Sequence, residues 1–196
     1  MVSRSRGWTV WHFGWWIWLI PVVPEAVLLA TLGWDRPRHK LEQMGLRRET
    51  ALALFAVISA ANAFLLVSVI ASLVNGGVKS GGQLLFEAVT VWGTNVVVFG
   101  LWFWAVDRGG PVLRRRPNPP PPDFQFPQME NPQFAAPDWQ PRLIDYVYVS
   151  FTNSIAFSPT DAMPLSRRAK MLMLAESALS ALTILLVAAR AVNIFV

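Results

Sequence analysis

The sequence predicts an all-α membrane protein with four transmembrane helices and a short re-entrant or interfacial helix before the last span. Three observations lead to this fold class: apolar residues make up 54% of the chain, charged residues make up only 15%, and long charge-free runs separate the charges. Soluble proteins carry about 25% charged residues. The composition therefore argues against a soluble enzyme and against a disordered chain.

The two longest charge-free runs occupy 50–78 and 88–106. A helix needs about 20 apolar residues to cross a hydrocarbon core of about 30 Å. Together with two shorter charge-free runs, at 7–24 and 177–189, this pattern predicts four spans. Their approximate bounds are 14–33, 51–75, 84–106 and 168–193.

The first span is the least regular of the four. It contains Pro21 and Pro24, so we expect a kink or a break near its middle. It also contains Glu25, which is positioned to cap a restarted helix. Many of the ten tryptophans lie near the ends of spans. Indole rings prefer the headgroup zone, and we interpret these tryptophans as anchors.

The predicted organisation has three parts: a three-helix transmembrane region at 1–106, a proline-rich connector at 107–141, and a C-terminal part at 142–196. The prolines of the connector predict an extended, partly polyproline II segment without helix or inner strand. Its aromatic residues predict that it docks on the remainder of the protein: Phe124, Phe126, Phe134 and Trp139. The connector is either a semi-rigid spacer or an arm that binds a protein partner.

The basic residues are divided unequally between the two predicted faces. Thirteen Lys and Arg residues fall in 34–50 and 107–170, and four fall on the side of the termini. The positive-inside rule places the thirteen in the cytoplasm and both termini outside. We therefore expect a multi-pass protein of the cell membrane whose basic residues serve topology and contact with the lipid bilayer. Nucleic acid is not a predicted partner, despite the pI near 10.4.

Residues 143–157 are apolar but too few to cross a bilayer as a helix. Asp145 near the start of this segment suits the positive end of a helix dipole. Ser158 and Pro159 then break the helix before the last span. Irregular backbone at membrane depth is tolerated only inside protein or beside water. The break is therefore either a surface turn or the lining of a site.

The stretch 145–193 resembles the C-terminal part of a bacterial integral membrane protein family of unknown function. That family is distantly similar to the pore module of tetrameric potassium channels, with its short pore helix, loop and long inner helix. The resemblance covers about a quarter of the chain and lies in these residues: Asp145-Tyr146-Val147-Tyr148, Phe151-Thr152, Asp161, Ser166-Arg167-Arg168 and Asn193-Ile194. It implies an oligomeric, channel-like pore loop.

The sequence departs from the potassium filter, which would fall on 156–161. Ser158 and Thr160 stand at the positions of the two filter glycines, and Pro159 has a fixed φ. We therefore expect no potassium-selective ring of carbonyls. The side from which the loop enters the membrane also differs. Potassium channels insert this loop from outside, whereas the charge count assigns it to the cytoplasm. We favour the charge count, which implies an inverted pore loop like that of ionotropic glutamate receptors.

Carboxylates and amides inside predicted spans are candidates for function, since such groups are costly in hydrocarbon unless they find partners. Glu176 lies among small residues that let another helix approach. Glu87 lies near a helix start and can meet water there. The candidate residues for a pore or polar site are Asn153, Ser158, Thr160, Asp161, Glu176 and Glu25.

No catalytic motif, cofactor fingerprint or metal-ligand pattern is found in the sequence, and the chain has no cysteine. We therefore predict no catalytic residues, no metal and no cofactor, and not an enzyme. The favoured hypothesis is an oligomeric, channel-like protein for an ion or small solute. The alternative is a non-conducting membrane scaffold or partner subunit. Glu25 and Glu176 leave a transporter-like role as a third hypothesis.

Overall fold

Three long helices and one short helix build the part of the chain that the computed structural model describes, which is residues 47–74, 81–137, 139–159 and 161–194. The long helices are α1 (Arg47–Val74), α2 (Gly81–Val106) and α5 (Arg167–Ile194). Between α2 and α5 lie a two-residue strand β1 (Phe124–Gln125), a single-turn helix α3 (Pro127–Glu130), the 14-residue helix α4 (Leu143–Ala156) and a two-residue strand β2 (Met163–Pro164).

The three long helices each contain a stretch that is long and apolar enough to cross a membrane. The stretches are Leu52–Ala71, Leu85–Gly109 and Arg167–Ala188. The predicted spans 51–75, 84–106 and 168–193 correspond to these helices. The predicted span 14–33 lies outside the described residues.

Local sequence explains where α2 ends and where α4 and α5 begin. α2 gives way to a 3-10 turn, Asp107–Gly109, in which Arg108 and Gly109 have φ of 51° and 75°. At the start of α4, the Asp145 carboxylate accepts the N–H of Arg142 at 2.6 Å. At the start of α5, the Ser166 hydroxyl accepts the N–H of Ala169 at 3.1 Å, as an N-cap does.

α1 and α2 are antiparallel neighbours. The Thr94 hydroxyl of α2 donates to Asn62 Oδ1 of α1 at 2.7 Å, and further along α2 the Trp102 indole donates to Ser59, which is nearer the start of α1, at 3.1 Å. In an apolar medium such interhelical hydrogen bonds satisfy polar groups that hydrocarbon cannot.

α4 runs antiparallel to α2 and parallel to α5. Trp92 of α2 contacts Ser154 late in α4, whereas Val96 contacts Ser150, one turn earlier. The starts of α4 and α5 lie at the same end of the molecule. β1, beside the first turn of α4, pairs with β2, which directly precedes α5.

The segment 107–141, which we call the arm, is less extended than predicted. The prediction of no helix was wrong for α3 and for the 3-10 turns at Leu113–Arg115 and Pro132–Phe134. Phe124 and Phe126 are buried and Trp139 is half-buried, as expected for a docked segment. Phe134 is 84% exposed, so its predicted docking was wrong.

The outward faces of the long helices are apolar. On α1 they carry Val57 and Phe64, and on α5 they carry Leu174 and Leu185, all more than half exposed. The core between the helices combines aromatic residues of α2 and the arm with Tyr146 and Met173. Apolar surface outside and polar groups inside is the arrangement expected of helices in a bilayer.

α2 and α4 approach so closely at Gly100 that a side chain would not fit. A Cβ atom there would lie 2.9 Å from Val147 Cα, whereas one at Gly93 would meet nothing within 4 Å. We predict that Gly100→Ala lowers the free energy of unfolding by about 1–3 kcal/mol, because the helices must separate.

The matched Gly93→Ala change should leave stability unchanged or raise it by up to about 1 kcal/mol, because alanine is the better helix former and its Cβ meets no neighbour. Thermal unfolding in detergent, followed by tryptophan fluorescence, compares the two variants. Equal melting temperatures for both variants would contradict the α2–α4 contact.

Candidate functional site

A buried carboxyl group joins α4 to α5. Glu176 has no exposed surface. Its Oε2 accepts a hydrogen bond from Asn153 Nδ2 at 2.7 Å, and its Oε1 contacts the Ser150 hydroxyl. The residues lie on one face of α4 because Ser150 and Asn153 are three positions apart. We call Glu176, Asn153 and Ser150 the carboxyl cluster.

The remaining hydrogen bonds of the cluster reach the backbone of two helices. Ser150 Oγ lies 2.7 Å from the carbonyl oxygen of Val96 in α2. Asn153 Nδ2 also donates to the Met173 carbonyl at 3.1 Å, and its Oδ1 accepts from the Ser177 hydroxyl at 3.3 Å. The cluster therefore ties α4 to α2 and α5 at the same level.

The donors and acceptors around Ser150 favour a proton on Glu176. Ser150 Oγ lies beside two acceptors, the Val96 carbonyl and Glu176 Oε1, but a hydroxyl has one proton to donate. Every contact becomes a hydrogen bond when Glu176 is a neutral acid that donates to Ser150, which in turn donates to Val96. A neutral carboxyl also avoids the cost of a charge in hydrocarbon.

The groups that face Glu176 within the described residues are neutral, since its interactions are with Ser150 and Asn153. The charged or titratable groups elsewhere on the surrounding helices make no contact with Glu176. Within the described residues these groups are Glu87 on α2, Asp145, Tyr146 and Tyr148 on α4, and Arg167, Arg168 and Lys170 on α5. The arrangement can hold a single proton between α4 and α5.

Other polar pairs extend the same interhelical seam. Asn95 of α2 donates to the Ser180 hydroxyl of α5 at 3.1 Å, and the indole of Trp92 donates to Ser154 of α4 at 3.2 Å. Asn95 and Ser180 are almost fully buried. These contacts supply partners for polar groups that would otherwise be costly at membrane depth.

The predicted site residues separate into two groups. Asn153 and Glu176 come together in the carboxyl cluster, whereas Ser158 and Asp161 are exposed in the segment between α4 and β2. Thr160 and Glu25 lie outside the described residues. Sequence reasoning missed Ser150, although its spacing from Asn153 put both on one helical face.

A second polar network joins the arm to the start of α4. The Tyr146 hydroxyl donates to Asp107 Oδ2 and accepts from Arg114 Nη1, both at 2.6 Å. Asp107 Oδ1 accepts the backbone N–H groups of Asp123 and Phe124 at 2.8 and 3.2 Å. Asp107 thus connects the end of α2 to β1 and to the first turn of α4.

In this second network, burial and neighbouring charges shift the pKa of Arg114 in opposite directions. Burial raises the pKa of Tyr146, so that its hydroxyl stays protonated and donates to Asp107. Burial lowers the pKa of Arg114, and its interactions with Tyr146 and Asp107 act in the opposite direction. Arg114 also donates to the Trp104 carbonyl oxygen and packs 5.1 Å above the Tyr146 ring.

No family model, curated protein or solved structure matches this chain. Among the described residues, no group of three or more His, Asp or Glu side chains is arranged to hold a metal ion.

The protonated carboxyl predicts a clear difference between two replacements of Glu176. Gln has the same shape and can donate to Ser150 while accepting from Asn153, so Glu176→Gln should leave the melting temperature within about 2 °C of wild type. Glu176→Ala removes the acceptor of an Asn153 N–H and the donor to Ser150, and should cost about 1–3 kcal/mol, or roughly 2–12 °C.

Thermal unfolding of both variants in the same detergent measures this difference. If Glu176→Gln destabilises as much as Glu176→Ala, the carboxyl in the native protein is ionised and the proton assignment is wrong.

Proposed function

We propose that the chain is a subunit of an oligomeric, channel-like protein of the cell membrane that passes an ion or a small solute without potassium selectivity. The observation that carries this proposal is the exposure of the residues that directly follow α4, before the chain leads back to the start of α5. In the proposal α4 is a re-entrant helix, and residues 157–159 and 161, which we call the return segment, line a pathway shared between copies.

The contacts of α4 support a deep position for this segment. Asn153, near the end of α4, contacts Glu176 and Ser177, which lie near the middle of the candidate span Arg167–Ala188. At about 1.5 Å per residue, the 14 residues of α4 measure about 21 Å, less than the hydrocarbon thickness of about 30 Å. A helix that enters beside α5 and ends there needs a return segment.

The exposure of the return segment supports an oligomer. Phe157 is 47% exposed, and Ser158, Pro159 and Asp161 are exposed as well. Lipid cannot satisfy the backbone N–H and C=O groups of an irregular segment, so protein or water must cover it at membrane depth. Further copies of the chain around a common axis provide both: a protein wall and a polar lumen.

The local conformation supports a pathway that is not potassium-selective. Phe157 has a positive φ of 52° and ends α4 as a left-handed cap, with its N–H bonded to the Asn153 carbonyl at 2.9 Å. Pro159, two residues later, has no N–H. Ser158 and Asp161 then offer side-chain oxygens in place of the carbonyl ring that filter glycines allow.

The alternative is a non-conducting scaffold or partner subunit that binds a protein through the arm. One observation favours it: Phe134 projects from the arm with 84% of its surface exposed. An oligomer that forms in the membrane but passes no ion or solute would support this alternative.

Single cysteines test the shared pathway, because the natural chain has none. We predict that Ser158→Cys forms covalent dimers on mild oxidation in membranes and reacts with a charged, water-soluble methanethiosulfonate. Val57→Cys on α1, 63% exposed on the apolar face, is the matched control and should do neither.

Flux through proteoliposomes completes the test. Modification of Ser158→Cys should change the rate of ion or solute release at least about twofold, and treatment of the control should leave it unchanged. A Ser158→Cys chain that stays monomeric and unreactive contradicts the pore-loop proposal. Cross-linking without flux in any variant favours the scaffold.

A further inference from the structure

The arm encloses a cavity of about 460 Å³ that the proposed pathway does not use. This volume lies in the range of small-molecule sites. One wall is formed by 108–119 and the other by 128–141. The cavity lies at the membrane-surface end of the bundle, because Arg114 in its wall bonds to the Trp104 carbonyl near the end of α2 and to Tyr146 at the start of α4.

The lining of the cavity is strongly basic. Four arginines contribute to it, Arg108, Arg114, Arg115 and Arg116, and no carboxylate among the described residues lines it. The nearest carboxylate in the network, Asp107, already accepts two backbone N–H groups and the Tyr146 hydroxyl. Within the described part of the chain, the positive charge of the cavity therefore has no counter-charge in its walls.

Two buried polar atoms of lining residues lack a partner. Arg114 is 9% exposed, and its Nε has no hydrogen-bond acceptor among the described residues; Gln128 Oε1 likewise has no donor there. A buried polar group without a partner costs about 1–3 kcal/mol, so a ligand that supplied partners to these two atoms would be bound more tightly. Arg114 Nε needs an acceptor oxygen, and Gln128 Oε1 needs a hydroxyl or N–H.

The remaining wall is apolar. Trp139, Met129 and several prolines complete the lining. A ligand that suits all of these groups has an anionic head for the arginines, a hydroxyl for Gln128 and a carbon skeleton for the apolar side. Arginine forks match phosphate geometry with paired hydrogen bonds, which favours phosphate as the anion.

We propose that this cavity binds a phosphate ester, held by Arg114, Arg115 and Arg116 and by Gln128. A phosphate ester can reach the cavity from two sources: the headgroup of an anionic phospholipid in the adjacent leaflet, or a soluble phosphate ester. The proposal is independent of ion or solute flux, because it rests on the arm alone.

The test uses the full-length protein purified in detergent, with thermal unfolding as the readout. The probes are glycerol 3-phosphate as the soluble ester and phosphatidylglycerol as the lipid, with phosphatidylcholine as the zwitterionic control. The variant Arg115→Gln/Arg116→Gln removes two exposed arginines of the cavity. The matched control Arg167→Gln/Arg168→Gln removes two exposed arginines at the start of α5, outside the cavity.

Wild type and the control should be stabilised by at least one phosphate probe, and the cavity variant should need at least about tenfold more of it. Stabilisation by phosphatidylglycerol alone identifies the lipid headgroup as the ligand, and stabilisation by glycerol 3-phosphate identifies a soluble ester. The proposal is overturned if neither probe exceeds phosphatidylcholine, or if both double variants lose binding equally.

Discussion

The structure depends on satisfying a few polar groups where the surrounding solvent cannot. Glu176 lies fully buried near the middle of a candidate span, and its partners come from α4. The requirement that hydrocarbon imposes on carboxyl, amide and hydroxyl groups thereby determines the packing. A short helix that would be only marginally stable in isolation is held between two long helices by Ser150 and Asn153.

A second attachment fixes the direction of α4. Asp107 at the end of α2 binds the Tyr146 hydroxyl in the first turn of α4, and it also binds the backbone at β1. Because β1 pairs with β2, the same carboxylate indirectly positions the start of α5. Tyr146 near the start of α4 and Asn153 near its end are thus both held, and α4 runs parallel to α5. The arm is thus a structural part of the membrane region as well as the wall of the basic cavity.

Sequence alone predicted the elements that length and hydropathy determine, namely the spans of α1, α2 and α5 and the short helix at 143–157. It also predicted that Glu176 faces the bundle, because an unpartnered carboxyl would be too costly. It did not predict which neighbours Glu176 meets, since that depends on the packing direction of α4. The arm shows the same limit: Phe124 and Phe134 are the same residue type, but only Phe124 belongs to a strand that pairs with β2. Proline content indicated extended chain and did not reveal α3 or the 3-10 turns at Leu113–Arg115 and Pro132–Phe134.

The central claim is that α4 descends into the membrane beside α5, and the depth of spin labels on α4 tests it most directly. Ile144 and Ile155 lie on the same exposed face near opposite ends of α4, and the chain has no native cysteine to interfere. In lipid nanodiscs, the ratio of oxygen to nickel-chelate accessibility should put a label at Ile155→Cys about 16 Å deeper than one at Ile144→Cys. Equal, shallow depths at both positions would mean that α4 lies flat on the membrane surface, and the account would be wrong.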